Sequence, residues 1–342
     1  MENPPLTAPP SSVATKKKTA DVNRPDRPIA AIDIGSNSIQ ITIARLTDRT
    51  IDVLHREKDV ARLAKALGAD GFFSNQTLDQ TLATLQKFRA LADDYGAIVR
   101  TTATATVRRA RNGDDLIERA ATELGLDVQI ITGADEGRLV LAGVIHGLPE
   151  LQTAAPLCID VGGGSTELIL GAGGRARILA SVPIGALVVQ RRWLGGDPVG
   201  RSSARRASAQ LMSLFSARAD DMKRAGFSRV IATGGSAQRI ARICRASRGD
   251  VTQDVHRDPL SRADIDAVVA RLVRSKTHAE RLAIPGLDPD RADSLLGGAL
   301  IFQAVGRLLG VESWTVSMSA LRSGLLVDTH RALNRGESVL RR

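Results

Sequence analysis

The sequence predicts an α/β protein made of two structurally duplicated domains that face one another. Three observations carry this expectation. The pattern strand, acid, Gly/Ser turn, strand in "AAIDIGSNSIQITIARL" at 30–46 returns in "CIDVGGGSTELIL" at 158–170. In each half, three closely connected strands precede an alternation of helix and strand, the sign of a mixed sheet covered by helices. The chain's 342 residues, 43% apolar and 25% charged, are enough for two separate cores.

Taken in order, "IAAIDI", "IQITIARL" and "IDVLHREK" read as three strands joined by Gly/Ser/Asn and Thr/Asp turns. A helix follows over about 75–95, where Leu78, Leu82, Leu85, Phe88 and Leu91 recur every three or four residues, with Ser74 placed to cap it and Gly96 to end it. "AIVRTTA" is a strand, "DDLIERAATELG" a helix and "DVQIIT" a strand. From Pro156 the order restarts with the strands "PLCIDV", "TELILGAG" and "RARILASVPIG". An Arg-rich helix to about residue 225, the strand "RVIATGG" and the helix "SAQRIARICRAS" come next. Residues 250–296 read as mainly helical, with turns at Pro259 and "IPGLDPD". The helix "LLGGALIFQAVGRLLG", the strand "SWTVSM" and a closing helix near 320–335 complete the chain. The expected division is a disordered tail over 1–28, a first domain over 29–137 completed by a helix within 320–342, and a second domain over 138–319.

Composition narrows the function. No run approaches the roughly 18 apolar residues of a membrane span. The tail holds six of the 13 prolines and a KKK run, without the apolar stretch of a signal peptide. Cys158 and Cys244 have neither framework nor metal-ligand spacing and read as buried thiols of a reducing, cytoplasmic compartment. A net charge of +10 points to an acidic partner, while 3% aromatic residues leave few platforms for stacking bases, so phosphate suits the charge better than single-stranded nucleic acid.

The turns carry the chemistry. A Gly/Ser turn after a strand can aim successive N–H groups into one concavity, where glycine lets a phosphate come close. Gly35, Ser36, Asn37 and Ser38 form one such turn, and Gly162, Gly163, Gly164 and Ser165 form the other, with Thr166 adding a hydroxyl. An ordinary hairpin needs no acid before it, yet Asp33 and Asp160 precede these two at the same offset. Either the two acids cap their turns, or they hold a hard cation such as Mg²⁺ against the phosphate, with Glu167 in reach of the same ion. A third turn, "ATGGSAQRIARI", places Gly234 and Gly235 at a helix start, where free N–H groups bind anions or merely join strand to helix. Arg191, Arg192, Arg201, Arg205 and Arg206 form either a solvated helix face or a track for a phosphate chain. The five histidines are scattered without ligand spacing.

Together, "AIDIGSNS", "TTATATVRRARNG", "IITGADEGRLVLAGV", "CIDVGGGSTELIL", "ASVPIGA" and "IATGGSAQRIA" resemble the exopolyphosphatase/guanosine pentaphosphate phosphatase (Ppx/GppA) family over about residues 29–330. The resemblance implies two ribonuclease H-like domains of the actin-like ATPase and sugar kinase superfold, facing across a cleft and closing over phosphates. It puts the catalytic, water-activating Glu on Glu136 and the phosphate-contacting Arg on Arg108. It matches the two phosphate loops to residues 35–38 and 162–165, the metal-binding acids to Asp160 and Glu167, and the superfold's metal-proximal acid to Asp33. The implied cofactor is Mg²⁺, and the implied substrate is inorganic polyphosphate or a guanosine polyphosphate. No specific nucleic acid or membrane is implied, and a homodimer is compatible with the reading.

The chain also departs from the family pattern. Arg109 stands where members often have an acid after the Arg, and "ALRSG" at 320–324 replaces "GLREG", with Ser323 in place of a carboxylate. The chain is expected to be a short form without the C-terminal helical domain of longer members, so processive action on very long chains is not implied. Three rivals stay open: a small-molecule kinase of the same superfold, a non-hydrolytic sensor of polyphosphate or guanosine tetraphosphate, and a nucleic-acid binder recruited by charge.

Overall fold

The computed structural model describes residues 27–195 and 199–337; the expected tail, except for its last two residues, lies outside them, as do residues 338–342. In the first sheet β1 (Ile29–Ile34), β2 (Ile39–Leu46) and β3 (Ile51–Asp59) form an antiparallel meander, and β4 (Ile98–Ala103) and β5 (Val128–Ile130) extend it in parallel on the other side of β1. The second sheet repeats this with β6 (Pro156–Val161), β7 (Thr166–Ala172), β8 (Arg175–Val182) and β9 (Arg229–Thr233), then adds β10 (Pro259–Ser261) and β11 (Ser313–Val316). The orders are β3-β2-β1-β4-β5 and β10-β11-β9-β6-β7-β8. Without the edge strand β10 these are the same arrangement, the ribonuclease H-like one, built twice.

The helices are α1 (Leu63–Ala66), α2 (Asn75–Asp94), α3 (Ala105–Arg109), α4 (Gly113–Leu124), α5 (Gly133–Gly147), α6 (Ala186–Val189), α7 (Arg201–Ala225), α8 (Gly234–Ser247), α9 (Arg262–Arg274), α10 (His278–Leu282), α11 (Leu295–Leu309) and α12 (Leu321–Asn334). Local chemistry sets several of them. Ser74 accepts the Thr77 N–H to cap α2, whose Leu78, Leu82, Leu85 and Phe88 are buried against the first sheet. Helix α7 buries Ala204, Ala207, Leu211, Phe215 and Ala219 along one stripe and keeps its arginines outside, as an amphipathic helix does. Strands β1 and β6 are buried along their whole length, so their near-continuous apolar runs fit central strands covered on both faces.

The short helices α1 and α3 add to the elements read from the sequence, and one longer segment differs from that reading. Within 250–296, expected to be mainly helical, Pro259–Ser261 forms β10, which pairs antiparallel with β11. Three residues are too short to show a period of two, and a leading proline is tolerated at an edge where no ladder N–H is needed.

The last helix of each half lies over the other half's sheet. Helix α5, which follows β5, packs Val140, Leu141 and Val144 against Cys158, Ile169 and Ile231 of the second sheet. Helix α12, which follows β11, packs Leu325, Leu326 and Leu333 against Ile29, Ala31 and Ile98 of the first. The two helices cross in direct backbone contact. A Cβ on Gly324 would lie 1.8 Å from Leu139 O, and one on Gly143 would lie 2.2 Å from Ala320 O, so the crossing requires glycine on both sides. This contact fixes where the first turns of α5 and α12 enter the gap between the domains.

Candidate active site

The two duplicated turns close in the same way. The Gly35 N–H donates to Ser38 O at 3.1 Å after β1, and the Gly162 N–H donates to Ser165 O at 3.0 Å after β6. The next helix start then binds each turn's carbonyls. The Arg62 and Ala64 N–H groups donate to Asn37 O and Ser36 O, and those of Ala186 and Leu187 donate to Gly162 O and Gly163 O, all at 2.8–3.0 Å. The amides are left over. Those of Ser36, Asn37, Gly163 and Gly164 donate to no acceptor among the described residues, which makes each turn a concavity for an anion.

The turns also meet. A Cβ on Gly164 would lie 2.5 Å from Ser36 Oγ and 3.1 Å from Ala105 Cβ, so only glycine fits where the domains touch. Ser36 is held by the Thr106 hydroxyl, which donates to its Oγ at 2.7 Å. Above this contact lies a cleft of ≈ 480 Å³ lined by all of 35–38 and 162–165 and by Gly234 and Gly235. Gly234, the first residue of α8, has φ of 85°, and a Cβ there would sit 2.4 Å from Asp160 Oδ1. Both conditions exclude other residues, so this third turn brings its backbone against the acid of the second.

Four carboxylates gather at this point. Asp33, Glu136 and Asp160 line the cleft with only 8% of their surface exposed, and Glu167 lies behind Asp160, opposite it in the β6–β7 register. Burial raises the Asp33 pKa to about 6, with Arg322 pulling it down. Burial, then the charge of Asp33, raises Asp160 to about 7. Burial and Asp160 raise Glu167 to about 8, against hydrogen bonds from Ser181 and Ser165. Glu136 is held well above the usual carboxylate range by burial, then by Glu167, Asp160 and Asp33, with Arg108 opposing.

The alternative that Asp33 and Asp160 cap their turns does not fit. Asp33 Oδ1, Asp160 Oδ1 and Glu136 Oε2 are buried without a hydrogen-bond partner. Buried acceptors in that state cost stability unless a cation or donor meets them. The donor set suits Mg²⁺, which takes one or two carboxylates and fills its octahedron with phosphate oxygens and water. Among the described residues no three His, Cys, Asp or Glu side chains form a ready cage, so the protein alone supplies only part of a shell. Glu167 is already engaged, accepting the Ser181 hydroxyl at 2.8 Å.

Glu136 reaches the cleft from the first turn of α5, which Thr132 caps by accepting the Asp135 N–H at 3.1 Å. Arg108, at the end of α3, lies beside it, with Nη1 3.6 Å from Glu136 Oε2 and donating to Ile131 O at 2.5 Å. The structure therefore puts the three glycine turns, Asp33, Glu136 and Asp160 on the cleft wall, with Arg108 beside Glu136 and Glu167 opposite Asp160.

Residues 42–332 match the model of the Ppx/GppA phosphatase family. The chain belongs to that family. Its structure is similar to an exopolyphosphatase from Cytophaga hutchinsonii, with 27% identity, 92% of this chain and 99% of that one covered, and a TM-score of 0.81. It is also similar to the Aquifex aeolicus PPX-GPPA enzyme, with 27% identity, coverage of 88% and 99%, and a TM-score of 0.75.

Sequence reasoning missed part of the wall of this Ppx/GppA cleft. Arg56, Lys58, Arg239, Arg291 and Arg322 line it. Arg322 sits inside "ALRSG" and Arg291 inside "GLDPDRAD", both next to turn signals, and that was the only available hint. The suggested arginine track lies elsewhere, since none of its five residues lines the cleft. Arg191 donates to Ala64 O at 3.4 Å, Arg192 lies over the Trp193 ring, and Arg201, Arg205 and Arg206 are exposed on α7. His256 lines the cleft but is committed, with Nε2 3.1 Å from Gly147 O and Nδ1 accepting the Met318 N–H. Both cysteines are buried and free, and no helix among the described residues is long and apolar enough to cross a membrane.

Proposed function

We propose that this Ppx/GppA phosphatase removes the terminal phosphate from inorganic polyphosphate, from guanosine pentaphosphate, or from both, using water activated by Glu136. The observation that carries the reading is Glu136 itself: a buried carboxylate with one oxygen that accepts no hydrogen bond, in the same cleft as two opposed amide-lined turns. A raised pKa brings a carboxylate toward the working pH, where a general base is most effective. Arg108 beside it offers a planar cation to charge developing on the transferred phosphoryl group. The free amides of the two turns and the start of α8 hold the chain in line and stabilise the same charge.

Asp160 and Asp33 would hold Mg²⁺, with Glu167 opposite Asp160 adding negative charge that favours the ion. Bound there, Mg²⁺ would neutralise the anhydride oxygens and act as a Lewis acid. Free thiols and the absence of framework cysteines suit a reducing cytoplasm.

The test measures phosphate release from polyphosphate and guanosine pentaphosphate in parallel, with and without Mg²⁺. Glu136→Gln should lower release by about a hundredfold or more while leaving chain binding nearly intact. Unchanged turnover would remove Glu136 from the role. Tight binding without release at saturating Mg²⁺ would select a sensor, and transfer of label from ATP to an acceptor would select a kinase.

A further inference from the structure

Arg322 stands in the cleft with its donors unspent. It is in the first turn of α12, lines the cleft, and has a third of its side-chain surface open, at 33%. Its Nη1 lies 3.8 Å from Asp33 Oδ2, near enough for attraction between charges and too far for a hydrogen bond. A guanidinium carries five N–H donors, and no acceptor among the described residues takes one from Arg322. Ser323 follows it, so no acid on the same turn competes for those donors. Burial and the neighbouring Arg56 both work against its charge, and Asp33 with Asp160 offsets them only in part. Its backbone has no freedom to swing away, because Ala320 and Gly324 on either side are pressed against α5.

The open third of this cation can exchange water for an anion that enters the cleft. The surroundings say which kind. Arg108 serves the Glu136 side of the cleft, whereas Arg322 acts on Asp33 and Asp160, the two acids suited to a cation. An anion meeting Arg322 therefore lies beside Asp33 and is met by a different arginine from the one paired with Glu136. We propose that Arg322 is a second phosphate-binding arginine, which grips the phosphate unit next to the scissile one, with Arg56 alongside. This rests on the phosphohydrolase reading and extends it. The substrate must present at least two linked phosphates, and Arg322 is the residue that reads the second.

The experiment uses Glu136→Gln protein, so that ligands bind without turnover, and titrates inorganic tripolyphosphate and orthophosphate by calorimetry with Mg²⁺ and with EDTA. Adding Arg322→Gln should weaken tripolyphosphate binding by about tenfold or more, the scale of lost charge-assisted hydrogen bonds, and change orthophosphate binding by less than about threefold. Arg322→Lys should recover part of the tripolyphosphate affinity, because it keeps the charge and loses the fork. In the otherwise unaltered enzyme, Arg322→Lys should raise KM for polyphosphate with kcat within about threefold. The melting temperature separates binding from folding. Arg322 as a purely structural cation predicts a lower melting temperature with tripolyphosphate affinity unchanged, and that outcome overturns the proposal. Equal weakening of the two ligands overturns it too. If the unaltered protein releases no phosphate from any chain while tripolyphosphate binding still depends on Arg322, the phosphohydrolase reading fails and the binding site stands.

Discussion

The two halves of the site share one backbone and differ in charge. Across β1–β2, Asp33 is paired with Gln40; across β6–β7, Asp160 is paired with Glu167. The corresponding helices α5 and α12 bring opposite charges to the cleft from their first turns, Glu136 from one and Arg322 from the other. The turns differ as well. The first fills the interdomain contact with Ser36, and the second answers with glycines that leave room for it. Duplication thus yields two turns closed in the same way, while the helices entering the cleft bring a carboxylate from one half and a guanidinium from the other.

Removing one acid from each half gives the largest expected contrast. Asp160→Asn should lower phosphate release by roughly 10²–10³-fold, the range seen when one preorganised charge-stabilising group is lost, whereas Asp33→Asn should cost only about tenfold. The asymmetry follows from the neighbouring acids: Arg322 opposes the raised pKa of both, but Asp160 is raised further by Asp33 and stands opposite Glu167. Phosphate release followed as a function of Mg²⁺ concentration reads both effects. Equal losses in the two variants would mean that the halves contribute alike and that the comparison has no mechanistic content.

The contact between the turns comes next in size. Gly164→Ala forces a Cβ to 2.5 Å from Ser36 Oγ, an overpacking that should cost about 1–3 kcal/mol in denaturant unfolding. Ser36→Ala in the same chain removes the offending oxygen and should restore part of that loss, a coupling that a double-mutant cycle measures. Gly164→Ala without any loss of stability would show that the domains stand farther apart in solution.

Much of this architecture was legible because it repeats and because its chemistry is local. Each turn declares itself by glycine and hydroxyl residues following an acid at a strand end, and α2 by Leu78, Leu82, Leu85 and Phe88 with Ser74 ahead of them. Glu136 was not legible from its own surroundings, since an acid in the first turn of a helix is favoured by the helix dipole whether or not it does chemistry. It was the family resemblance that singled it out. Arg322 stood inside the noted "ALRSG" but was given no role, because its meaning depends on Asp33, nearly the whole chain away, and on a helix crossing set by Gly143 and Gly324. The arginines of α7 had the composition of a phosphate track, and only folding shows that their face points away from the cleft.

The smallest effect, a pH dependence, distinguishes the halves without any change to the four acids. Each acid of the site is raised on folding, so the native state holds protons that the unfolded chain gives up, and stability falls as pH rises. The contribution is fully present below the ordinary carboxylate range and is lost as pH passes about 6 for Asp33, about 7 for Asp160 and about 8 for Glu167. The melting temperature of the protein in EDTA should therefore decline from about pH 4 and level off by about pH 8, with the first half's acid ceasing to contribute near 6 and the second half's pair near 7 and 8. Mg²⁺ competes with those protons, so its stabilising effect should be larger at pH 8 than at pH 6. Arg322→Gln sharpens the comparison: it removes the cation that holds Asp33 and Asp160 down, and should extend their parts of the decline to higher pH while leaving that of Glu167 in place. A melting temperature that is flat over this range, with or without Mg²⁺, would mean that the four acids are solvated and that the cleft opens far enough to admit bulk water.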